Sequence, residues 1–380
     1  MGYKDIEFKY KLKKTYRTVL IIILLILIAL LCKLQMDNVV YSRYEIQNRL
    51  ERVGSEDSKY RNYNGNLLCY SMDGVSAYDK NGNQLWNQTF QMQNEMVSNA
   101  GDYVIAADYQ GTCVYLIGKS GLIKTIETNL PVLSVDVSAQ GIAIVQLREG
   151  DTVYMELYDK EGQSVSTFRT TMRNFGFPLA YGISQDSVKM GVSYLKAAAG
   201  KVKTSLAFYN FGGVGQNETD NLVSAYECED EVVPTLAFPS QDTILTVGSK
   251  KVRIFTGKQK PELQKEMETE QEIHAVFYSQ NYFVLVYDAA ESSGKYEFCV
   301  YDMNGNEKMK TAVDFEYTDV IVEDNRLIAY NQNRMLIAGY NGVVKYNDEL
   351  SGGVQEILPL DKYSRFLFVY PDKMEKVRLR

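Results

Sequence analysis

Two short segments carry oxygen side chains at the spacing that calcium-binding loops use. The first runs from Asp79 to Asn83 and the second from Asp302 to Asn306, each with Asp, Asn and Asn at alternate positions. A calcium loop of the EF-hand type needs a Gly at its sixth position and a bidentate Glu at its twelfth. Here the Gly stands fourth and the twelfth residues are Phe and Val. Asn-Gly pairs favour β-hairpins, so we interpret both segments as hairpin turns.

His274 is the single histidine of the chain. An acid–base role would need a nucleophile or a carboxylate within hydrogen-bond reach of the imidazole. Glu272 lies two residues earlier on the same face of a predicted strand, but no Gly-x-Ser-x-Gly elbow of a hydrolase is present. We therefore interpret His274 as a structural residue. One imidazole also excludes any mechanism that requires two.

Four cysteines, Cys69, Cys113, Cys228 and Cys299, are widely spaced in predicted strands, without a Cys-x-x-Cys pair. Such positions are typical of small buried apolar residues, and we predict four free thiols. Two disulfides in an oxidising compartment are the alternative. The sequence therefore predicts no catalytic residue, no metal ligand and no cofactor.

The charge of the chain is unevenly distributed. Of 380 residues, 41 are basic and 48 acidic, giving a net charge of −7. The first 36 residues carry seven basic and two acidic side chains, which leaves 34 basic and 46 acidic ones in the remainder. An acidic body repels phosphate backbones, so we do not expect nucleic-acid binding.

An uncharged apolar run, residues 18–32, follows six basic residues. As a helix it would span about 22 Å, and extension to residue 36 brings it closer to the bilayer core. A cleaved signal peptide and a lipoprotein signal need small residues that are missing here, and a buried core helix would not be apolar all round. We predict a single-pass signal anchor at 18–36. The positive-inside rule makes residues 1–17 a cytoplasmic tail and the rest extracellular, at the cell membrane.

Residues 37–59 change character after the predicted anchor. Ile46, Leu50 and Val53 fall at helical spacing, but the stretch is short and mostly polar. We expect a juxtamembrane stalk helix, with a disordered linker as the alternative.

A repeat of about 40 residues fills positions 60–380. Its marker is a strand, a turn glycine and a second strand, and the turn glycines are Gly82, Gly121, Gly162, Gly305 and Gly342. The first three are 39 and 41 residues apart and the last two are 37 apart. Short strands at this spacing, without a long helix, predict an all-β radial repeat, a β-propeller.

Eight third strands can be counted, the last at 374–379. We predict eight blades, with seven as the alternative. The eighth unit lacks a fourth strand, and the ring closes well if a segment before Tyr63 supplies it.

The segment 77–86, AYDKNGNQLW, resembles the blade end of quinoprotein-type (PQQ-like) propellers, in which a strand, an Asp-x-x-Gly turn and a Trp recur. The motif is complete only at Trp86. With its basic tail and anchor, the chain resembles uncharacterised membrane-tethered propellers of Gram-positive bacteria. This resemblance implies a role in the cell envelope and no particular reaction.

Two connections between second and third strands, 195–203 and 288–295, look long enough to be functional loops. In a propeller they share the face of the funnel mouth, while the connection 210–221 lies on the opposite face. Candidate binding residues on these loops are Lys196, Lys201, Lys203, Glu291 and Lys295.

These observations favour a non-catalytic extracellular propeller, anchored in the membrane, that binds or scaffolds an envelope protein or a wall polymer. The alternatives are an enzyme, such as a quinone-dependent dehydrogenase or a glycan lyase, and a sensor that signals through its short tail.

Overall fold

A computed structural model describes residues 16, 18–28, 35, 38–171, 173, 175–198, 200–269, 271–290 and 294–380. Within these residues the chain forms eight four-stranded antiparallel sheets. First strands of neighbouring sheets contact one another around a common centre. The all-β propeller with eight blades is therefore confirmed.

The first four blades follow one another along the chain, each with its strands in sequence order. Their strands are β2 (Lys59–Tyr63), β3 (Asn66–Ser71), β4 (Gly74–Tyr78) and β5 (Gln84–Thr89) in blade 1; β6 (Glu95–Ala100), β7 (Tyr103–Asp108), β8 (Cys113–Gly118) and β9 (Gly121–Glu127) in blade 2; β10 (Val132–Val137), β11 (Ala143–Glu149), β12 (Thr152–Tyr158) and β13 (Ser164–Thr171) in blade 3; and β14 (Phe177–Ile183), β15 (Lys189–Ala198), β16 (Lys201–Asn210) and β17 (Leu222–Glu229) in blade 4.

The next three blades repeat this order, and the last combines both ends of the ring. Their strands are β18 (Thr235–Ser240), β19 (Thr243–Val247), β20 (Lys251–Thr256) and β21 (Glu262–Glu268) in blade 5; β22 (Ala275–Tyr278), β23 (Tyr282–Asp288), β24 (Tyr296–Asp302) and β25 (Glu307–Val313) in blade 6; β26 (Asp319–Val322), β27 (Arg326–Tyr330), β28 (Arg334–Gly339) and β29 (Val344–Glu349) in blade 7; and β30 (Glu356–Pro359), β31 (Arg365–Val369), β32 (Lys373–Leu379) and β1 (Tyr44–Glu51) in blade 8. Two short 3₁₀ helices, Gly215–Asn217 and Thr219–Asn221, lie between β16 and β17.

The ring closes as the sequence predicts, with a segment before Tyr63 completing the last blade. β1 pairs antiparallel with β32, from Tyr44 opposite Leu379 to Glu51 opposite Lys373. The expectation of a stalk helix or a disordered linker is wrong for these residues, since Tyr44–Glu51 are a strand. The helical spacing of Ile46, Leu50 and Val53 does not decide the structure here, because the open edge of β32 offers backbone hydrogen bonds to an added strand.

The core lies between neighbouring sheets rather than at the centre of the ring. Phe298 and Val300 of blade 6, for example, share one buried cluster with Leu327 and Leu336 of blade 7. Each such side chain contributes roughly 1.5–3 kcal/mol on burial. Second and third strands are therefore mostly buried on both faces, and β27 is buried at all five positions.

The two Asp–Asn segments are hairpin turns, as predicted. The Asp79 carboxylate accepts hydrogen bonds from the amides of Asn81 and Asn83, at 2.7 and 2.9 Å. Asp302 accepts the equivalent two bonds in blade 6. Partial burial opposes the ionisation of Asp302, but hydrogen bonds from the Lys308 ammonium and from the turn outweigh it and lower its pKa.

Residues 18–28 are α-helical. The side chains from Val19 to Ile28 are 47–59% exposed. Among the residues that the structure describes, no helix combines the length and apolarity needed to cross a bilayer. Of the predicted tail 1–17 only Tyr16 is among the described residues, and of the predicted anchor 18–36 the described residues are 18–28 and 35.

Candidate binding face

The alternating direction of the strands divides the connections between two faces of the ring. The face that carries the links between second and third strands and the links between blades is called the upper face. The lower face carries the links between first and second strands and between third and fourth strands. Both loops that the sequence singles out, 195–203 and 288–295, lie on the upper face, and 210–221 lies on the lower one.

The segment 195–203 is an extended β-hairpin rather than a loop. β15 and β16 pair up to Ala198 opposite Lys201, and Gly200 closes the turn with φ +77°. The flanking strands β14 and β17 pair only as far as Leu195 and Lys203. The last three residues of β15 therefore extend about 10 Å beyond the rest of their sheet.

A groove of about 440 Å³ lies beside this hairpin. It is lined by Lys196, Lys201, Lys203, Val202 and Phe175. The Phe175 side chain, from the link between blades 3 and 4, is 65% exposed. Three of the five predicted residues thus lie together, next to an aromatic side chain that a repeat-based reading misses, because Phe175 lies outside every strand.

Acidic side chains of β17 orient one lysine of the groove. The Lys203 ammonium bonds to Glu229 at 2.7 Å and to Glu227 at 3.1 Å. These two hydrogen bonds raise the pKa of Lys203. An exposed aromatic ring in a concave site is typical of protein-binding surfaces.

The other two predicted residues do not join this groove. Lys295 belongs to blade 6, where it forms an ion pair with Glu316 of the following link. The Tyr296 hydroxyl donates to the same carboxylate, and together the two hydrogen bonds lower the pKa of Glu316. Glu291 lies outside the described residues.

His274 precedes β22 and packs among aromatic side chains. Its ring centroid lies 4.9 Å from that of Tyr296 and 6.3 Å from that of Tyr317. Nδ1 lies 3.5 Å from the Asp288 carboxylate rather than beside Glu272. These contacts agree with a structural role.

The first strands of blades 3 to 6 border a cavity of about 380 Å³ in the centre of the ring. Ser134, Gln146, Tyr181 and Tyr278 are among its lining residues. The hydroxyls of Ser134 and Tyr181 are 2.7 Å apart, and Ser134 donates to the Gln146 amide oxygen at 2.9 Å. Three of the polar side chains of this cavity, Ser134, Gln146 and Tyr181, are thus joined by hydrogen bonds.

Carboxyl groups from three blades also belong to first strands. Burial raises the pKa of Glu356 to about 8, and Arg61 of blade 1 partly offsets this. Burial likewise raises the pKa values of Asp136 and Asp319, and Arg61 acts on both in the opposite direction. Within the described residues, no group of three or more His, Cys, Asp or Glu side chains is arranged to hold a metal ion.

In the described part of the chain, Cys69, Cys113, Cys228 and Cys299 are free thiols, as predicted. All except Cys113 are buried. Burial raises the pKa values of Cys228 and Cys299 to about 11. Since the thiolate is the reactive form, these side chains act as small apolar core residues.

The fold is similar to that of solved structures of other proteins. BamB from Moraxella catarrhalis is 10% identical, with a TM-score of 0.50 over 88% of this chain and 100% of that one. Chaetomium thermophilum Sqt1, solved bound to the N-terminus of the ribosomal protein L10, is 12% identical, with a TM-score of 0.55 and the same coverage. At these identities the likeness concerns the fold alone.

A comparison with curated proteins finds no match. One family model matches residues 37–379, from the segment before β1 to the end of β32. The match therefore takes in the whole ring, closing strand included. The chain belongs to the family of unknown function DUF5711.

Proposed function

We propose that this protein is a non-catalytic binding propeller, anchored in the cell membrane by its N-terminal segment and exposed outside the cell. Its upper face would bind another envelope protein, with a wall polymer as the alternative partner. The observation that carries the proposal is the hairpin of blade 4, whose tip extends beyond its sheet and borders the groove with Phe175 and three lysines.

The membrane anchor is supported by the apolar helix at 18–28. Its side chains are exposed all round, and six basic residues precede it. A helix that is apolar on every face is suited to lipid. The basic residues favour a cytoplasmic N-terminus.

A protein partner is favoured by the make-up of the groove. The exposed ring of Phe175 can act as an apolar anchor for a partner. The lysine and glutamate side chains beside it can form polar contacts. Sqt1, a propeller of similar fold, was solved with the N-terminus of another protein. This supports a peptide segment of an envelope protein as the occupant.

The quinone-dependent alternative is less well supported. The resemblance to quinoprotein-type propellers is carried by Trp86, whose side chain is buried between blades 1 and 2. Its ring packs edge-on against Tyr63, with centroids 6.0 Å apart. This contact supports a blade-packing role for the tryptophan.

Replacing groove residues should remove the partner. The full-length protein is crosslinked in its own membranes, solubilised in detergent and recovered by a tag, and partners are quantified by mass spectrometry. For the double variant Phe175→Ala with Lys201→Glu we expect partner recovery to fall about tenfold or more, as when an interface anchor is truncated.

Val165→Ala is the matched control, because Val165 is 50% exposed on the outer strand of blade 3, away from the groove. The control should recover as much partner as the unchanged protein. Equal recovery by the groove variant and the control would contradict the proposed binding face. A polysaccharide recovered in place of a protein would favour the wall-polymer alternative.

A further inference from the structure

The chain is fixed to the lower face of the ring before β1 begins. The Asn341 amide, in the turn between β28 and β29, donates to the Asn38 side chain at 2.8 Å. The Tyr41 amide donates to the Lys345 carbonyl at 2.7 Å, and Ser42 donates to the Arg380 carbonyl at 2.8 Å. Residues 38–43 therefore run along blades 7 and 8 instead of forming a free stalk.

This contact limits the distance between ring and membrane. The predicted anchor ends at residue 36, and two further residues reach Asn38. Two residues span at most about 7 Å when fully extended. If the anchor is in the bilayer, the lower face at blades 7 and 8 lies against the headgroups, and the upper face points away.

The surface at this place has a composition suited to a bilayer interface. A cavity of about 650 Å³ lies there, lined in part by Val40, Tyr41, Tyr363, Arg365 and Arg378. Val40 is 63% exposed and Tyr363 is 45% exposed. Tyrosines are enriched at the headgroup level of membranes, and exposed apolar side chains gain by partial insertion.

The charge of this surface is opposite to that of the ring as a whole. The cavity lining holds three basic side chains, Arg365, Arg378 and Arg380, and one carboxylate, Asp361. Lys362 follows Asp361 in the same loop. Asp361 pairs with Arg365 at 2.6 Å and Glu45 pairs with Arg380 at 3.0 Å. This surface therefore has an excess of positive charge, although the residues after the anchor as a whole carry more acidic than basic side chains.

The loop that carries Tyr363 is held in place by a buried arginine of blade 7. The Arg326 guanidinium is fully buried and donates to the carbonyls of Asp361 and Tyr363. These bonds fix the backbone of the loop at Asp361 and Tyr363 before any contact is made.

We propose that the lower-face patch of Val40, Lys362, Tyr363, Arg365 and Arg378 binds the anionic headgroups of the bilayer that holds the anchor. This inference rests on the proposed membrane anchor and adds the orientation of the ring. Each basic residue near an anionic surface should strengthen the contact about fivefold.

Photocrosslinking in nanodiscs tests the contact with the full chain. A p-benzoylphenylalanine is placed at position 363, and at position 175 on the upper face as the matched control. Discs contain phosphatidylcholine with or without phosphatidylglycerol, and lipid adducts are counted by mass spectrometry. We expect several times more adducts at position 363 than at 175, and more with phosphatidylglycerol. Lys362→Gln with Arg378→Gln should lower the yield in phosphatidylglycerol discs at least fivefold.

Equal yields at positions 363 and 175, in protein that remains bound to the discs, would overturn the inference and leave the anchor intact. An adduct yield that changes neither with phosphatidylglycerol nor with the two charge substitutions would overturn the headgroup contact. Adducts with an added soluble polyanion but not with lipid would overturn it in favour of a polymer. Protein that does not co-elute with discs would overturn the anchor itself, and the inference with it.

Discussion

Truncation after Asp372 should leave the protein unfolded or aggregated, because it removes β32 from the interior of the last blade. β32 pairs with β31 on one side and with β1 on the other. Met374 and Val377 are fully buried within it. Without β32, β1 has no partner strand and β31 becomes an unprotected edge. The expected loss is several kcal/mol, comparable with the 5–15 kcal/mol that stabilise a typical domain.

Urea unfolding followed by circular dichroism measures this loss in the truncated protein. Arg378→Ala is the matched control, because this exposed side chain belongs to the same strand. Its midpoint should stay close to that of the unchanged protein. A truncated protein that unfolds at the original midpoint would show that β32 is dispensable and that the ring does not close through it.

Arg326→Leu should cost about 3–5 kcal/mol, the range found when one partner of a buried ion pair is removed. Its guanidinium is fully buried, pairs with Glu323 and donates to two carbonyls of the loop between β30 and β31. The substitution leaves these acceptors without a donor and separates blades 7 and 8 at the lower face. The free energy of unfolding at neutral pH, from urea titration, gives the value.

Arg365→Leu serves as its control. Arg365 also pairs with a carboxylate of this loop, Asp361, but its side chain is 56% exposed. Exposed ion pairs contribute about 0–1 kcal/mol, so the control should remain within that range. Equal small losses for both variants would contradict the bridging role of Arg326.

The propeller and its blade number could be predicted because the turn chemistry repeats. Gly82 and Gly305 adopt φ values of +83° and +76°, which favour glycine over other residues. Each such glycine marks the end of a third strand, and counting these strands leads to the correct ring. The missing fourth strand of the last unit was enough to predict closure by an earlier segment.

The closing strand itself could not be located from its pattern. β1 is polar at most positions and exposed over most of its length, as an outer strand can be. Alternation of apolar and polar residues, the usual sign of a strand, is therefore lacking. Its position depends on the open edge of β32, more than 300 residues away.

The proposed binding face was predictable in part. The lysines and the length of the connection 195–203 predict a functional loop. The extended hairpin found there depends on pairing between β15 and β16. Phe175 joins the groove through the link between blades, which carries no repeat signal. Arg326 would be placed on the surface by its residue type, and it is buried because acceptors from blade 8 converge on it.

The N-terminal segment is proposed to anchor the propeller in the cell membrane with the ring outside the cell. Protease added to intact cells or spheroplasts tests it directly, with a tag placed after Arg380. The positive charges before the anchor predict an extracellular C-terminus, so the tag should be destroyed while a cytoplasmic control protein survives. A tag that stays intact until the cells are lysed would contradict the account.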